Sequence, residues 1–165
     1  RNGDINTSII QSTYGKTIMI QWDETSPRPY TRHNLIQGTM GALAGFPTRV
    51  FFDSKENALS IDHLPWIEGK DLSEIYEKYD HPLYKKLNKK TADSGHGGMD
   101  GIMMFRIVEC LQKGLPLDQN VYEGAFWSAV TELSGKSVEQ GGAPQQFPDF
   151  TRGNWKSTKP LQIIS

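Results

Sequence analysis

Ile5-Asn6-Thr7-Ser8-Ile9-Ile10-Gln11-Ser12-Thr13-Tyr14-Gly15-Lys16-Thr17-Ile18-Met19-Ile20-Gln21-Trp22-Asp23-Glu24 holds two runs rich in Ile, Thr and Gln, split only by Tyr14-Gly15. Ile5 to Thr13 and Lys16 to Glu24 therefore read as two strands of a β-hairpin, with the glycine in the tight turn. Side chains alternate across a strand. Ile18, Ile20 and Trp22 share one face against Thr17, Met19 and Gln21 on the other, the pattern of a sheet covered on one side.

Beyond the hairpin, further strands are expected at Arg32 to Thr39, Arg49 to Asp53 and Ala58 to Asp62, punctuated by Gly38, Gly41, Gly45 and Pro47. No crossover helix fits between them, so neighbours should pair antiparallel. The chain then changes period. Asp71 and Glu74 have the spacing of a helix cap for Leu72 to Tyr79. His81-Pro82 should break that helix, and a short basic one should follow to about Lys90. A longer helix is expected over Met99 to Lys113, with Met104, Ile107, Val108 and Leu111 on its buried face and Gly114 as its stop. Asp118 is the expected cap of a last helix running to about Gln140, whose buried stripe is Tyr122, Phe126, Ala129, Val130 and Leu133. In the tail, Phe147, Phe150 and Trp155 predict a segment packed onto the body. Strands first and helices second predict an α+β domain: an open, mainly antiparallel β-sheet with helices packed on one face.

Bulk properties set the class. A chain of 165 residues with 36% hydrophobic and 22% charged residues suits one soluble, loop-rich domain. Its formal net charge of -1 supplies no drive towards nucleic acid or an anionic membrane. The run Lys85, Lys86, Lys89, Lys90 reads as a solvated helix face. Cys110 is the sole cysteine, which excludes an intramolecular disulfide; its apolar helical setting predicts a buried thiol. No run approaches a membrane-spanning length and no signal peptide is visible. The chain opens directly in strand-like sequence, which reads as a cut from a longer protein.

Three clusters carry polar chemistry. Ser26-Pro27-Arg28-Pro29-Tyr30-Thr31-Arg32-His33 is a loop stiffened by two prolines that presents guanidinium, phenol and imidazole groups. Such a set suits a hydroxylated or anionic ligand, and equally a stiff surface turn whose arginines pair with nearby carboxylates. Gly95-His96-Gly97-Gly98-Met99-Asp100 opens the longest clear helix. Its glycines permit close backbone approach, while His96 and Asp100 share a helix face and supply two ligands of an incomplete metal site. His63 and His81 have no comparable partners, so no metal is expected. The third cluster is Asp149 to Trp155, where Arg152 is placed to meet a ligand, a partner subunit or a structural carboxylate. Gly-x-Ser-x-Gly is absent, and so is the Gly-x-Gly-x-x-Gly of a dinucleotide-binding turn.

Those same motifs, with Gln37-Gly38-Thr39-Met40-Gly41, Cys110-Leu111-Gln112-Lys113-Gly114-Leu115-Pro116-Leu117-Asp118, Val121-Tyr122 and Trp127-Ser128, occur here in an order that resembles the carboxy-terminal domain of the family 109 glycosidases. These are α-N-acetylgalactosaminidase-like members of the Gfo/Idh/MocA oxidoreductase superfamily, and the resemblance covers nearly the whole chain. It implies a parent protein whose amino-terminal Rossmann domain holds NAD and whose sheet domain forms the other wall of a sugar site. It implies glycoside hydrolysis by transient oxidation at C3, elimination and hydration. The tyrosine of Pro27-Arg28-Pro29-Tyr30 matches a substrate contact, and Arg28, Arg32 and His96 fall in matching motifs as site-lining residues. The upstream Tyr-Pro-Thr-His segment is absent, so the catalytic residues and all NAD contacts are expected outside this chain, which by itself should neither bind NAD nor turn over. The expected partners are the sugar, the chain's own Rossmann domain and further copies through the sheet, with Ile5, Ile9, Ile18 and Ile20 as one contact face; burial of that face under the domain's own helices is the simpler reading. A net sugar dehydrogenase and a non-catalytic sugar-binding or assembly module are the alternatives. Export and cytoplasmic location stay open.

Overall fold

A computed structural model describes residues 4–54, 64–159 and 161–163. The chain divides into two compact units, residues 1–80 and 81–165. The strand expected at Ala58 to Asp62 lies outside the described residues.

The first unit opens on the anticipated hairpin. Strands β1 (Ile5–Gln11) and β2 (Thr17–Asp23) pair antiparallel, with Ser8 opposite Ile20 and Ile10 opposite Ile18. Between them the Gly15 amide donates to the Ser12 carbonyl and the Ser12 amide to the Lys16 carbonyl. Gly15 stands at φ +78, where only glycine is unstrained, giving a three-residue loop that ends in a left-handed residue. The register corrects one grouping. Ile9 faces Met19, and Ile5 shares that side, whereas Ile18 and Ile20 lie on the opposite side with Ile10. The four isoleucines do not form one face because opposed residues share a side and the two pairs differ in parity.

The remaining strands form a second antiparallel sheet in the order β3 (Asn34–Gly38), β4 (Gly41–Gly45), β5 (Arg49–Phe52) and β6 (Ile67–Glu68). The fold is α+β as expected, but its strands are shared between two open sheets. In sequence β4 looks like punctuation, because glycine and alanine dominate Gly41-Ala42-Leu43-Ala44-Gly45. Small side chains suit its place between β3 and β5: a Cβ on Gly41 would collide with the Phe51 carbonyl oxygen. Ala44 and Val50 are buried there.

Helix α1 (Leu72–Tyr79) has the expected span but not the expected cap. A 3-10 turn at Gly69–Asp71 leads into it, so Asp71 is already helical and its side chain makes no capping bond. Tyr79 packs against Phe52 of the same unit at 5.5 Å between ring centres.

The second unit contains α2 (Pro82–Thr91), α3 (Met99–Lys113) and α4 (Val121–Glu139). Pro82 starts α2 where no amide hydrogen is needed, and His81 Nδ1 accepts from the Leu83 amide at 3.1 Å. Leu83 and Leu87 of α2 are buried, and Cys110 of α3 is fully buried (0% exposed), as its setting predicted. Gly114 ends α3 at φ +63, and the Leu115 amide reaches back to the Cys110 carbonyl at 2.8 Å. The anticipated buried face of α3 is not the observed one. Met104, Val108 and Leu111 are exposed, while Ile102, Arg106, Ile107 and Cys110 lie inward. The cap of α4 is Asn120, not Asp118. Asn120 Oδ1 accepts from the Tyr122 and Glu123 amides, and Glu123 accepts from the Asn120 amide, a complete capping box. Ala129, Val130 and Leu133 are half-buried, whereas Tyr122 and Phe126 remain exposed. The tail packs as expected at Phe147, whose ring lies 4.9 Å from that of Phe126. No described helix is long and apolar enough to cross a membrane.

Candidate functional site

The loop after β2 is organised by one carboxylate. Asp23 Oδ1 accepts from the amides of Thr25 (3.1 Å) and Ser26 (3.0 Å), and Oδ2 pairs with Arg28 Nη2. The Ser26 amide bond is the largest influence on this carboxyl, with the Thr25 amide and the Arg28 charge beside it, and together they hold its pKa below the ordinary value despite burial. The Asp23 side chain is only 4% exposed. Arg28 Nη1 in turn lies 3.1 Å from His33 Nε2. Arg28 thus ties the start of the loop to its end, across the stiffness of Pro27 and Pro29.

That clamp presents a second group. Arg32 Nε donates to the Tyr30 hydroxyl at 2.6 Å, and its guanidinium carbon stands 5.5 Å from the centre of the Phe46 ring and 6.0 Å from that of Tyr30. Tyr30 and Phe46 are themselves 6.0 Å apart. Tyr30 is 73% exposed. The result is an open surface of two aromatic faces flanking a planar cation, matched to a ligand with apolar C–H faces and hydroxyl groups. Phe46 escapes a sequence reading because Gly45 and Pro47 make its segment look like a turn. Asp23 escapes it as an ordinary end of a strand.

His96 belongs to the second unit. Its Nδ1 lies 3.1 and 3.0 Å from the two carboxylate oxygens of Asp100, so further chemistry at this ring falls to Nε2. The neighbouring glycines have a packing role. A Cβ on Gly101 would collide with Ser94 Oγ and meet Thr91 Cβ at 2.8 Å, and one on Gly98 would meet Thr91 Oγ1 at 3.1 Å. The close approach allowed by these glycines is therefore between α3 and the end of α2. Among the described residues no strand leads into α3, so this stretch lacks the strand–turn–helix of a dinucleotide-binding fold. Among the described residues no group of three His, Cys, Asp or Glu could hold a metal ion.

Asp118, displaced from its expected capping role, makes an ion pair that the sequence does not announce. Arg106 Nε and Nη2 donate to Asp118 at 2.9 and 2.7 Å, Nη1 pairs with Glu109, and Nη2 approaches the Cys110 sulfur at 3.4 Å. The Arg106 bonds hold the Asp118 carboxyl below its ordinary pKa. In the tail, Asp149 accepts from the Thr151 hydroxyl and from the Thr151 and Gly153 amides, which sets Arg152 at φ +53 on the surface.

Residues 1–157 match the family described as glycosyl hydrolase 109, C-terminal domain. The chain belongs to glycosyl hydrolase family 109. It is 62% identical to glycosyl hydrolase family 109 protein 1 and 56% identical to protein 2 of Akkermansia muciniphila, over 98% and 99% of this chain and 34% of each relative. It is 51% identical to the glycosyl hydrolase family 109 protein of Shewanella pealeana, over 99% of the chain and 35% of that protein. This family 109 chain thus spans about a third of the length of the curated relatives it matches.

Proposed function

We propose that this chain is the sugar-facing domain of an NAD-dependent glycoside hydrolase, and that Tyr30, with Arg32 and Phe46 beside it, contacts the sugar. The exposed phenol, its oxygen held by Arg32 Nε at 2.6 Å, carries this reading. An aromatic face stacks on the C–H face of a pyranose, and a fixed guanidinium offers further donors to its hydroxyls. Arg28 serves by clamping the loop that presents them. In the second unit, His96 is a separate candidate for a polar contact through its outward nitrogen. Held outside this chain, NAD would supply reversible hydride transfer at sugar C3, so that a transient C3 ketone would acidify the C2 hydrogen for elimination and the hydride would return after water adds. We assign no step of that chemistry to residues of this chain, since among the described residues no strand leads into its glycine-rich turn.

The test is the full-length parent with NAD bound, assayed on α- and β-linked nitrophenyl glycosides. The expected result is release of nitrophenol with no net accumulation of NADH. NADH formed in step with sugar consumed, without aglycone release, would overturn the hydrolase in favour of a net dehydrogenase.

A further inference from the structure

Helix α3 carries an apolar arc on a side that this chain leaves open. With about 100° between successive residues of an α-helix, Met104, Val108 and Leu111 fall within about 60° of one another, while Arg106, Glu109, Gln112 and Lys113 occupy another sector. A helix that packs on one arc and still exposes a second, apolar arc is built to be covered by a further body. In this chain one arc is covered, by α2 at Gly98 and Gly101 and by the Arg106–Asp118 pair. The rest is open: Met104 is 52% exposed, Leu111 is 70% exposed, and Met99, Met103 and Val108 are exposed with them. Beside these residues runs an apolar groove of about 640 Å³ between α2 and α3, lined by Leu83, Tyr84, Met103, Ile107 and Leu117.

We infer that α3 is the central helix of a core shared between this chain and the amino-terminal two thirds of the parent polypeptide, which covers the Met104–Val108–Leu111 stripe and the adjoining groove. The choice of occupant rests on the relatives: each matches this chain over only about a third of its length, leaving a large body of the same polypeptide to supply that cover. Unbranched methionines at three of the open positions suit a surface that moulds to another domain. The inference rests on the reading of this chain as one domain of a longer enzyme, but not on the chemistry that enzyme performs.

Peroxide oxidation of methionine, followed residue by residue by mass spectrometry on the full-length parent, tests it. Met99, Met103 and Met104 should oxidise slower than free methionine by an order of magnitude or more. In the 165-residue chain alone they should oxidise at nearly the free rate. Free-rate oxidation in the parent would overturn the proposal. So would protection already present in the isolated chain, which would put the cover within these residues, or protection that vanishes on dilution, which would make the occupant a second copy. Glycosidase activity is read on the same preparation. An active parent with open methionines defeats the shared core alone, and a protected but inactive parent defeats the functional reading alone.

Discussion

Among single side chains, the loop 26–33 separates a clamp from a display. Arg28 has both terminal nitrogens engaged, one by Asp23 and one beside His33, so its removal should act through loop order. Arg32 and Tyr30 are displayed, so their removal should act on the sugar. Arg32→Lys in the parent keeps the charge but loses the planar fork and its Nε bond to Tyr30; kcat/KM should fall about tenfold, near 1.4 kcal/mol, with thermal stability unchanged. Unchanged kinetics would remove Arg32 from the site. Asp23 gives a pH signature. Its folded pKa is depressed below 3.8, so its contribution is complete above that ordinary value and is lost as pH falls through the lower folded value. The Tm difference between the parent and its Asp23→Asn variant should be steady from neutral pH to about 5 and shrink below about 3.5. A difference that grows on acidification would contradict the assigned hydrogen bonds.

Among the helices and strands, glycine decides the helical unit. Gly101→Ala would drive a methyl group into Ser94 and Thr91 and should cost about 1–3 kcal/mol by overpacking, seen as a lower denaturation midpoint. A methyl group on Gly124 or Gly135 of α4 would meet nothing within 4 Å, and alanine there should be neutral or stabilising. The β1–β2 ribbon poses a different problem. Among the described residues it pairs with no third strand, a two-stranded hairpin is marginal in water, and Ile9 is 71% exposed with Met19 opposite it. We propose that this ribbon meets a sheet of another subunit in the parent. Sedimentation would decide: a strict monomer at high concentration sinks the idea, and an oligomer that Ile9→Lys dissociates supports it.

For the molecule as a whole, the division of labour is between this chain and the rest of the parent. On the proposed reading the chain supplies a sugar-facing surface and a helix face for a larger core, while Gly98 and Gly101 pack against Thr91 and Ser94. The 165-residue chain should therefore neither retain NAD on gel filtration nor release nitrophenol from any glycoside on the panel. Measurable NAD affinity or turnover from it alone would show that the catalytic parts lie within these residues.

Features that depend on neighbours along the chain were legible in the amino acids alone. Tyr14-Gly15 marked the hairpin, His81-Pro82 the break between helices, Gly114 the end of α3, and the ordered motifs the family. Those signals are local: a fixed φ, a missing amide hydrogen, a left-handed residue. Which polar group meets which was settled only by the folded chain. Asp118 left the cap of α4 for Arg106, twelve residues away, because a bidentate ion pair outweighs a single capping bond and Asn120 could take the helix end. Gly41 to Gly45 became a central strand because it pairs on both edges, with β3 and with β5, and at Gly41 the Phe51 carbonyl leaves no room for a side chain. Phe46 joined Tyr30 and Arg32 because β3 and β4 fold back on each other, and the isoleucines of β1 and β2 parted because strand register is a relation between strands. Periodicity gave α3 one apolar face, Met104, Ile107, Val108 and Leu111; only the fold showed that this chain leaves most of that face uncovered.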